Sequence, residues 1–262
     1  MSRAAPQQQD WNPGAYARFR DQRLRPALDL LNAVGQMGAG EVVDLGCGNG
    51  AMADALRARA PGRSLIGVDA SPAMLEKARA GGGYDAIQQA DIAEWHPRRA
   101  PGMIYSNAVL HWVGNHEVLM PRLAGMLGKG GTLAVQMPHQ NKAPSHRVWL
   151  SLAEEFRPGG TGKMGTPGVM APVRYEELLA GLGQLRLWET DYYQRLTAEP
   201  GSHPVRRYTE STYARPVLAM LEPDEKAEII RRYEEVMHTA YPVRADGTVL
   251  FPFRRLFFTL TV

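Results

Sequence analysis

Short apolar runs, each closed by glycine, proline or asparagine and followed by a stretch with helical spacing, fill the first half of the chain. Glu-Val-Val-Asp-Leu over 41–45 reads as a short buried strand. Glycines follow, and a helix-forming run extends from Ala51 to Ala60 before Pro61-Gly62 stops it. Ser64 to Asp69 is a second strand. Ser71 is a good helix N-cap, and Pro72 suits the first helical position. That helix runs through Met74, Leu75 and Ala78 and ends at Gly81-Gly82-Gly83. Tyr84 to Gln88 is expected as a third strand, Met103 to Asn107 as a fourth, His116 to Leu127 as a helix and Thr132 to Met137 as a fifth strand. Strands alternating with helices predict an α/β fold on a parallel, doubly wound sheet.

The pattern changes after Pro138. A loop-rich stretch holds one helix over His146 to Phe156 and a glycine run at Gly159-Gly160-Thr161-Gly162 that looks mobile. Val173 to Leu182 reads as a helix, and Gln184 to Leu196 is strand-like. Thr209 to Leu221 and Pro223 to Thr239 read as two helices, and Val249 to Val262 as an aromatic, β-branched terminal strand. The expected organisation is a disordered tail over 1–10 and a single domain over 11–262. Within it lie an N-terminal lid (about 11–30), a ligand-binding core (about 31–138), a helical cap (about 139–240, including the strand 184–196) and a terminal strand (249–262).

Composition narrows the class. The chain has 262 residues, 44% of them hydrophobic, enough for one sizeable core. No window approaches the ~20 apolar residues of a membrane span, and the polar, Gln-rich first ten residues lack the apolar segment of a secretory signal. Cys47 is the single cysteine, so no intrachain disulfide forms and a cytoplasmic setting is expected. The net charge is +3, with no dense lysine-arginine block; a solvated surface explains it, and so does a pocket for an acidic small molecule. The histidines lack a zinc-ligand spacing, so no metal is expected.

The chemistry concentrates at predicted strand ends. Asp44-Leu45-Gly46-Cys47-Gly48-Asn49-Gly50 lies between a strand and a helix, where glycines let the backbone turn and approach a ligand. The spacing Gly46-x-Gly48-x-x-Ala51 also fits a dinucleotide fingerprint. Asp44 argues against it, because a carboxylate there repels a pyrophosphate but suits the ammonium and sulfonium of S-adenosylmethionine. Asp69 ends the second strand, where an acid accepts from ribose hydroxyls. Asp91 and Ile92 follow the third strand, with a polar atom and an apolar face for adenine. Asn107, at the end of the fourth, faces the methionine end. Cys47 reads as a small packing residue rather than a nucleophile.

These motifs resemble the seven-strand class I S-adenosylmethionine-dependent methyltransferase family. Asp44 to Gly50 is similar to its glycine motif, Asp69-Ala70-Ser71-Pro72-x-Met74 to its second-strand acid motif and Asn107-x-x-Leu110-His111-Trp112 to its fourth-strand motif. The resemblance implies a Rossmann-like seven-stranded sheet with an antiparallel last strand. It also adds Gly46, Cys47, Gly48, Ala70, Met74 and Trp112 to the cofactor contacts. A narrower resemblance, to the trans-aconitate methyltransferase family, rests on several segments. These are Trp11-Asn12-Pro13-x-x-Tyr16-x-x-Phe19-x-x-x-Arg23-x-Arg25-Pro26, Val135-Gln136-Met137-Pro138, Pro144-Ser145-His146, Tyr192-Tyr193, Arg215-Pro216 and Phe253-Arg254-Arg255-Leu256-Phe257. It implies monomethyl esterification of one carboxylate of a small polycarboxylate. The chain departs from that family at His139-Gln140, where an Asp-Asn pair is usual, and at Tyr213-Ala214, where Gly-Leu is usual.

A carboxylic acid is ionised at pH 7, so no general base is required, and no catalytic acid or base is assigned. Arg25, Arg215 and Arg255 are the candidates to hold the substrate's carboxylates, with Tyr16, Tyr193, Gln136, His111 and His139 as hydrogen-bonding partners. The expectation is a monomer binding neither nucleic acid nor membrane. Three alternatives stay open. One is methylation of a carrier-bound acyl acid, docked through Arg206-Arg207 and Arg231-Arg232. Another is a noncatalytic S-adenosylmethionine- or RNA-binding regulator, and the last is a dinucleotide oxidoreductase.

Overall fold

The computed structural model describes residues 20–159, 168–211 and 213–262. The expected tail, the aromatic positions Trp11 to Phe19 with Tyr16, and most of the glycine run after Gly159 lie outside them. Seven strands form one sheet: β1 (Val42–Leu45), β2 (Leu65–Asp69), β3 (Ala86–Gln89), β4 (Met103–Asn107), β5 (Thr132–Pro138), β6 (Gln184–Thr197) and β7 (Thr248–Thr261). Their order is β3-β2-β1-β4-β5-β7-β6. The first five pair in parallel, while β7 runs antiparallel to both β5 and β6. This is the α/β doubly wound sheet expected, with the terminal strand reversed.

The flanking helices are α1 (Arg20–Ala33), α2 (Ala53–Arg59), α3 (Pro72–Gly81), α4 (His116–Gly125), α5 (Pro144–Phe156), α6 (Pro172–Leu179), α7 (Pro204–Glu210), α8 (Arg215–Ala219) and α9 (Pro223–Ala240). Local signals set several ends. Ser71 Oγ accepts the Met74 N–H at 3.3 Å, Pro72 opens α3, and Gly82 closes it in the left-handed conformation. Two expectations need correction. The helix read over Thr209 to Leu221 is two short helices, because Pro216 has no N–H to donate and starts α8 instead of continuing α7. The third strand begins at Ala86, and Tyr84 precedes it as a loop residue that reaches inward.

Three apolar clusters hold the fold. One sheet face packs Val42, Met103, Tyr105, Ala134 and Phe257 against α1 and α2 through Leu30 and Leu56. The other packs Val43, Ile104, Leu133, Val135 and Phe258 against α4 and α6. The third cluster lies beyond the carboxyl edge of the sheet. Strands β6 and β7 extend past the end of β5, and their projecting half carries α5, α7, α8 and α9. There Trp149 stacks on Tyr233 with ring centres 3.9 Å apart, over Val249, Phe251 and Phe253. Truncating a buried Trp of this kind costs about 3–5 kcal/mol. The cap is therefore seated on the sheet and overhangs the strand ends where ligands bind in open α/β sheets.

Candidate active site

Strand alternation decides which polar groups meet. Successive side chains point to opposite faces, so registered partners and residues two apart share a face. Asp44 is paired with Gly67 and with Tyr105, Asn107 with Gln136, and Gln136 with Phe257. Asp69, Asp44, Asn107, Gln136 and Arg255 consequently lie on one face, in that order across β2, β1, β4, β5 and β7. The row runs from acidic to basic over roughly 14 Å between β1 and β7 at ~4.8 Å per strand.

At the acidic end Asp44 is buried, and its Oδ2 accepts the Tyr84 hydroxyl at 2.6 Å. Burial pushes its carboxyl up to about 7; the Tyr84 hydrogen bond opposes this and the Asp69 charge adds to it. Gly67 makes the contact possible, since a Cβ there would stand 3.1 Å from both the Tyr84 ring and Cys47 Sγ. Gly46 turns the chain away from β1 at φ +81°, and a side chain on it would overlap Val109. Asp69 Oδ2 accepts the Gly48 N–H at 2.8 Å and its Oδ1 the Ser71 N–H at 2.9 Å, so this carboxylate shapes the loop around the site. The Cys47 thiol is pushed well up by burial and by Asp44 and Asp69, which keeps it protonated and unreactive.

In the middle, Asn107 Oδ1 is buried with no hydrogen-bond partner among the described residues, an acceptor suited to an ammonium or a hydroxyl. Ala108 follows with φ +55°, rare for a residue with a side chain, and this turn delivers the 3₁₀ segment Leu110–Trp112. His111 is buried there, and its Nδ1 has no hydrogen-bond partner among the described residues. Burial, then the Arg255 charge, push its pKa down to about 3, so the ring is neutral. The Trp112 ring lies 4.7 Å from it and is partly exposed.

The basic end centres on Arg255, only 3% exposed, whose Nη1 donates to Gln136 Oε1 at 3.3 Å. That bond turns the Gln136 amide so that its buried Nε2 donor is left over. The Arg255 guanidinium also sits 4.9 Å from the Phe253 ring centre. His146 lies against Phe253 on one side and 4.2 Å from the Tyr213 ring on the other, linking the sheet to the cap. Burial pushes His146 down to about 3 as well. A cationic fork, an amide N–H and neutral imidazoles in a water-poor setting suit a carboxylate.

The remaining sequence candidates do not join this row of side chains. Arg25 is largely exposed and pairs at 3.4 Å with Asp29, which also accepts the Tyr192 hydroxyl at 2.7 Å, so Arg25 stands at the rim. Arg215 is exposed at the start of α8. His139 points to the opposite face, where its Nδ1 contacts Glu189. Tyr193 is 65% exposed and also faces away from Arg255, because Tyr192 takes the inward position. Ile92 and Met74 are core residues; Asp91 is exposed and caps its own loop through the Ala93 N–H, and Ala70 is exposed. Tyr84, His146 and Tyr192 were missed as site residues. Tyr192 is picked out only by the register of β6 on β7, and no local signal marks Tyr84.

Comparison with known proteins identifies the family. The family profile described as a methyltransferase domain matches residues 16–164. The chain is 40% identical over 256 residues to the trans-aconitate 2-methyltransferase of Methylobacterium radiotolerans, covering 95% of this chain and 96% of that one. It is 39% identical to the protein of that name from Paracidovorax citrulli, with the same coverage. Among solved structures, the YcgJ protein of Bacillus subtilis superposes with a TM-score of 0.58 at 14% identity, over 91% of this chain and 98% of that one, a likeness of fold. With its seven-stranded sheet and relatives matched over nearly their whole length, the chain belongs to the trans-aconitate 2-methyltransferase family of methyltransferases.

Proposed function

We propose that this chain transfers the methyl group of S-adenosylmethionine to one carboxylate of trans-aconitate, forming a monomethyl ester. The observation that carries the reading is the buried Arg255, on the same sheet face as the buried Asp44 and three strands along from it. When bound, S-adenosylmethionine supplies an electrophilic methyl group on a positively charged sulfur. Asp44, Asp69 and Asn107 suit its ammonium and ribose hydroxyls; Arg255, Gln136 and His111 suit the polycarboxylate.

The attacking carboxylate is already ionised at pH 7, so the protein has no proton to remove. Its work is alignment and exclusion of water. Arg255, Gln136 and His111 are each buried, so a carboxylate held among them exchanges its hydration shell for fixed donors. A neutral His111 contributes polarity without a second positive charge that would damp the nucleophile. The departures at His139 and Gln140 leave this cluster intact: His139 faces the other side, and Gln140 Nε2 donates to the Pro252 carbonyl at 3.0 Å. Tyr213 does bear on the pocket, through His146.

The carrier-docking alternative loses its basis. Arg206 pairs with Glu210 and Glu234, Arg207 with Glu199, Arg231 with Glu228 and Glu235, and Arg232 with Glu155. The test is methyl transfer from labelled S-adenosylmethionine to a panel of di- and tricarboxylates. Base-labile label on trans-aconitate, well above that on citrate, cis-aconitate and isocitrate, is the expected result. Label on none of them, with the methyl donor still bound, overturns it.

A further inference from the structure

Gln194 lies outside every motif discussed so far. It is 4% exposed, yet both its Nε2 and its Oε1 are buried with no hydrogen-bond partner among the described residues. Leaving a buried donor and acceptor unsatisfied is costly, and a side chain that does so on both atoms is held for a ligand or held at a loss. Its place on the sheet favours the ligand. Tyr192 and Gln194 are two apart on β6, and both share the Arg255 face because Thr190 pairs with Arg255 and Tyr192 with Phe253. The Arg255 guanidinium is carried over the Phe253 ring, towards the Gln194 end of the β6–β7 ladder. Gln194 is opposite Phe251, two positions beyond Phe253, which leaves about 7 Å of strand between that guanidinium and the amide. Tyr208 packs on both phenylalanines with ring centres 5.5 and 5.7 Å apart.

We propose that Gln194 is a specificity-determining residue whose carboxamide binds the carboxylate of a tricarboxylate substrate that lies farthest from the one being esterified. The assignment rests on the reading of the site as a polycarboxylate methyltransferase. An amide suits the role chemically. It donates to a carboxylate without adding charge beside Arg255, so it selects for a third carboxylate without weakening the nucleophile further. A dicarboxylate lacking that arm leaves the amide unsatisfied, which is how buried polar groups reject smaller analogues.

The experiment compares wild type, Gln194→Leu and Gln194→Glu. Steady-state kinetics use trans-aconitate and mesaconate, an unsaturated dicarboxylate with a methyl group in place of one arm. Thermal melting of the S-adenosylhomocysteine complex, with and without each acid, gives a binding readout independent of turnover. For trans-aconitate, Gln194→Leu is expected to raise KM about 10- to 100-fold, the worth of a hydrogen bond to a charged group, with kcat within about threefold. For mesaconate its KM stays unchanged. Gln194→Glu raises the trans-aconitate KM further. Gln194→Leu should melt within a few degrees of wild type, Gln194→Glu lower because it buries a carboxylate, and both should bind S-adenosylhomocysteine normally. An unchanged KM for trans-aconitate in a folded Gln194→Leu protein, with active wild type, overturns the assignment of Gln194 alone. Wild type neither methylating nor stabilised by trans-aconitate overturns the reading of the site and this assignment with it.

Discussion

Binding of S-adenosylmethionine should depend on pH through Asp44. Its carboxyl is raised by burial to about 7, so in the free protein half of the molecules carry it protonated at neutral pH. An ammonium ligand favours the ionised form. Binding below pH 7 therefore expels a proton, and affinity rises with pH until the carboxyl is ionised without help. One pH unit corresponds to about 1.4 kcal/mol, so the Kd should be about tenfold weaker at pH 6 than its plateau value and about a hundredfold weaker at pH 5. Tyr84→Phe removes the hydrogen bond that holds the carboxyl down, so the midpoint moves upward and binding at pH 7 weakens several-fold. Titration calorimetry from pH 5 to 7.5, in two buffers of different ionisation enthalpy, measures both the Kd and the proton released. A flat profile would refute the reasoning, and so would a slope that survives in Asp44→Asn.

Two further predictions follow from the same row of residues. The shift of Asp44 from 3.8 to about 7 amounts to roughly 4 kcal/mol against the ligand-free fold. Its protonated form supports the fold fully below pH 4, and that support is lost as pH rises through 7. Asp44→Asn should therefore raise the ligand-free Tm at pH 8 by several degrees, with little change at pH 4, while weakening the methyl donor; no gain at pH 8 sinks this account. Arg255→Met removes a buried charge and should lower kcat/KM for trans-aconitate about 30- to 1000-fold, leaving S-adenosylhomocysteine affinity within about twofold. A parallel loss of both would show that Arg255 supports the fold and not the acid.

Much of the cofactor half of the site is legible locally. Asp44, Asp69 and Asn107 are each the last or nearly last residue of an apolar run, and the helix signals around Ser71 are contained within a dozen residues. That locality is why their placement at strand ends is legible: the parallel strands alternate with helices, so strand ends collect on one edge whatever the details of packing. The substrate half is different. Which of Tyr192 and Tyr193 faces inward turns on a single-residue register, and β6 carries polar residues on both faces, so its pattern leaves the register open.

The sequence by itself determined the fold class, the glycine turn, the strand-end acids and the arginine-bearing terminal strand. Tertiary structure decided what those pieces touch. The reversed β7 sets Arg255 beside Gln136, 119 residues away in the chain, and Tyr84 crosses Gly67 to reach Asp44. The same pairing turns His139 to the opposite face and leaves the Gln194 amide buried on the face that carries Arg255. These outcomes rest on pairings between distant segments, whose energies belong to the assembled sheet and to no stretch of chain alone.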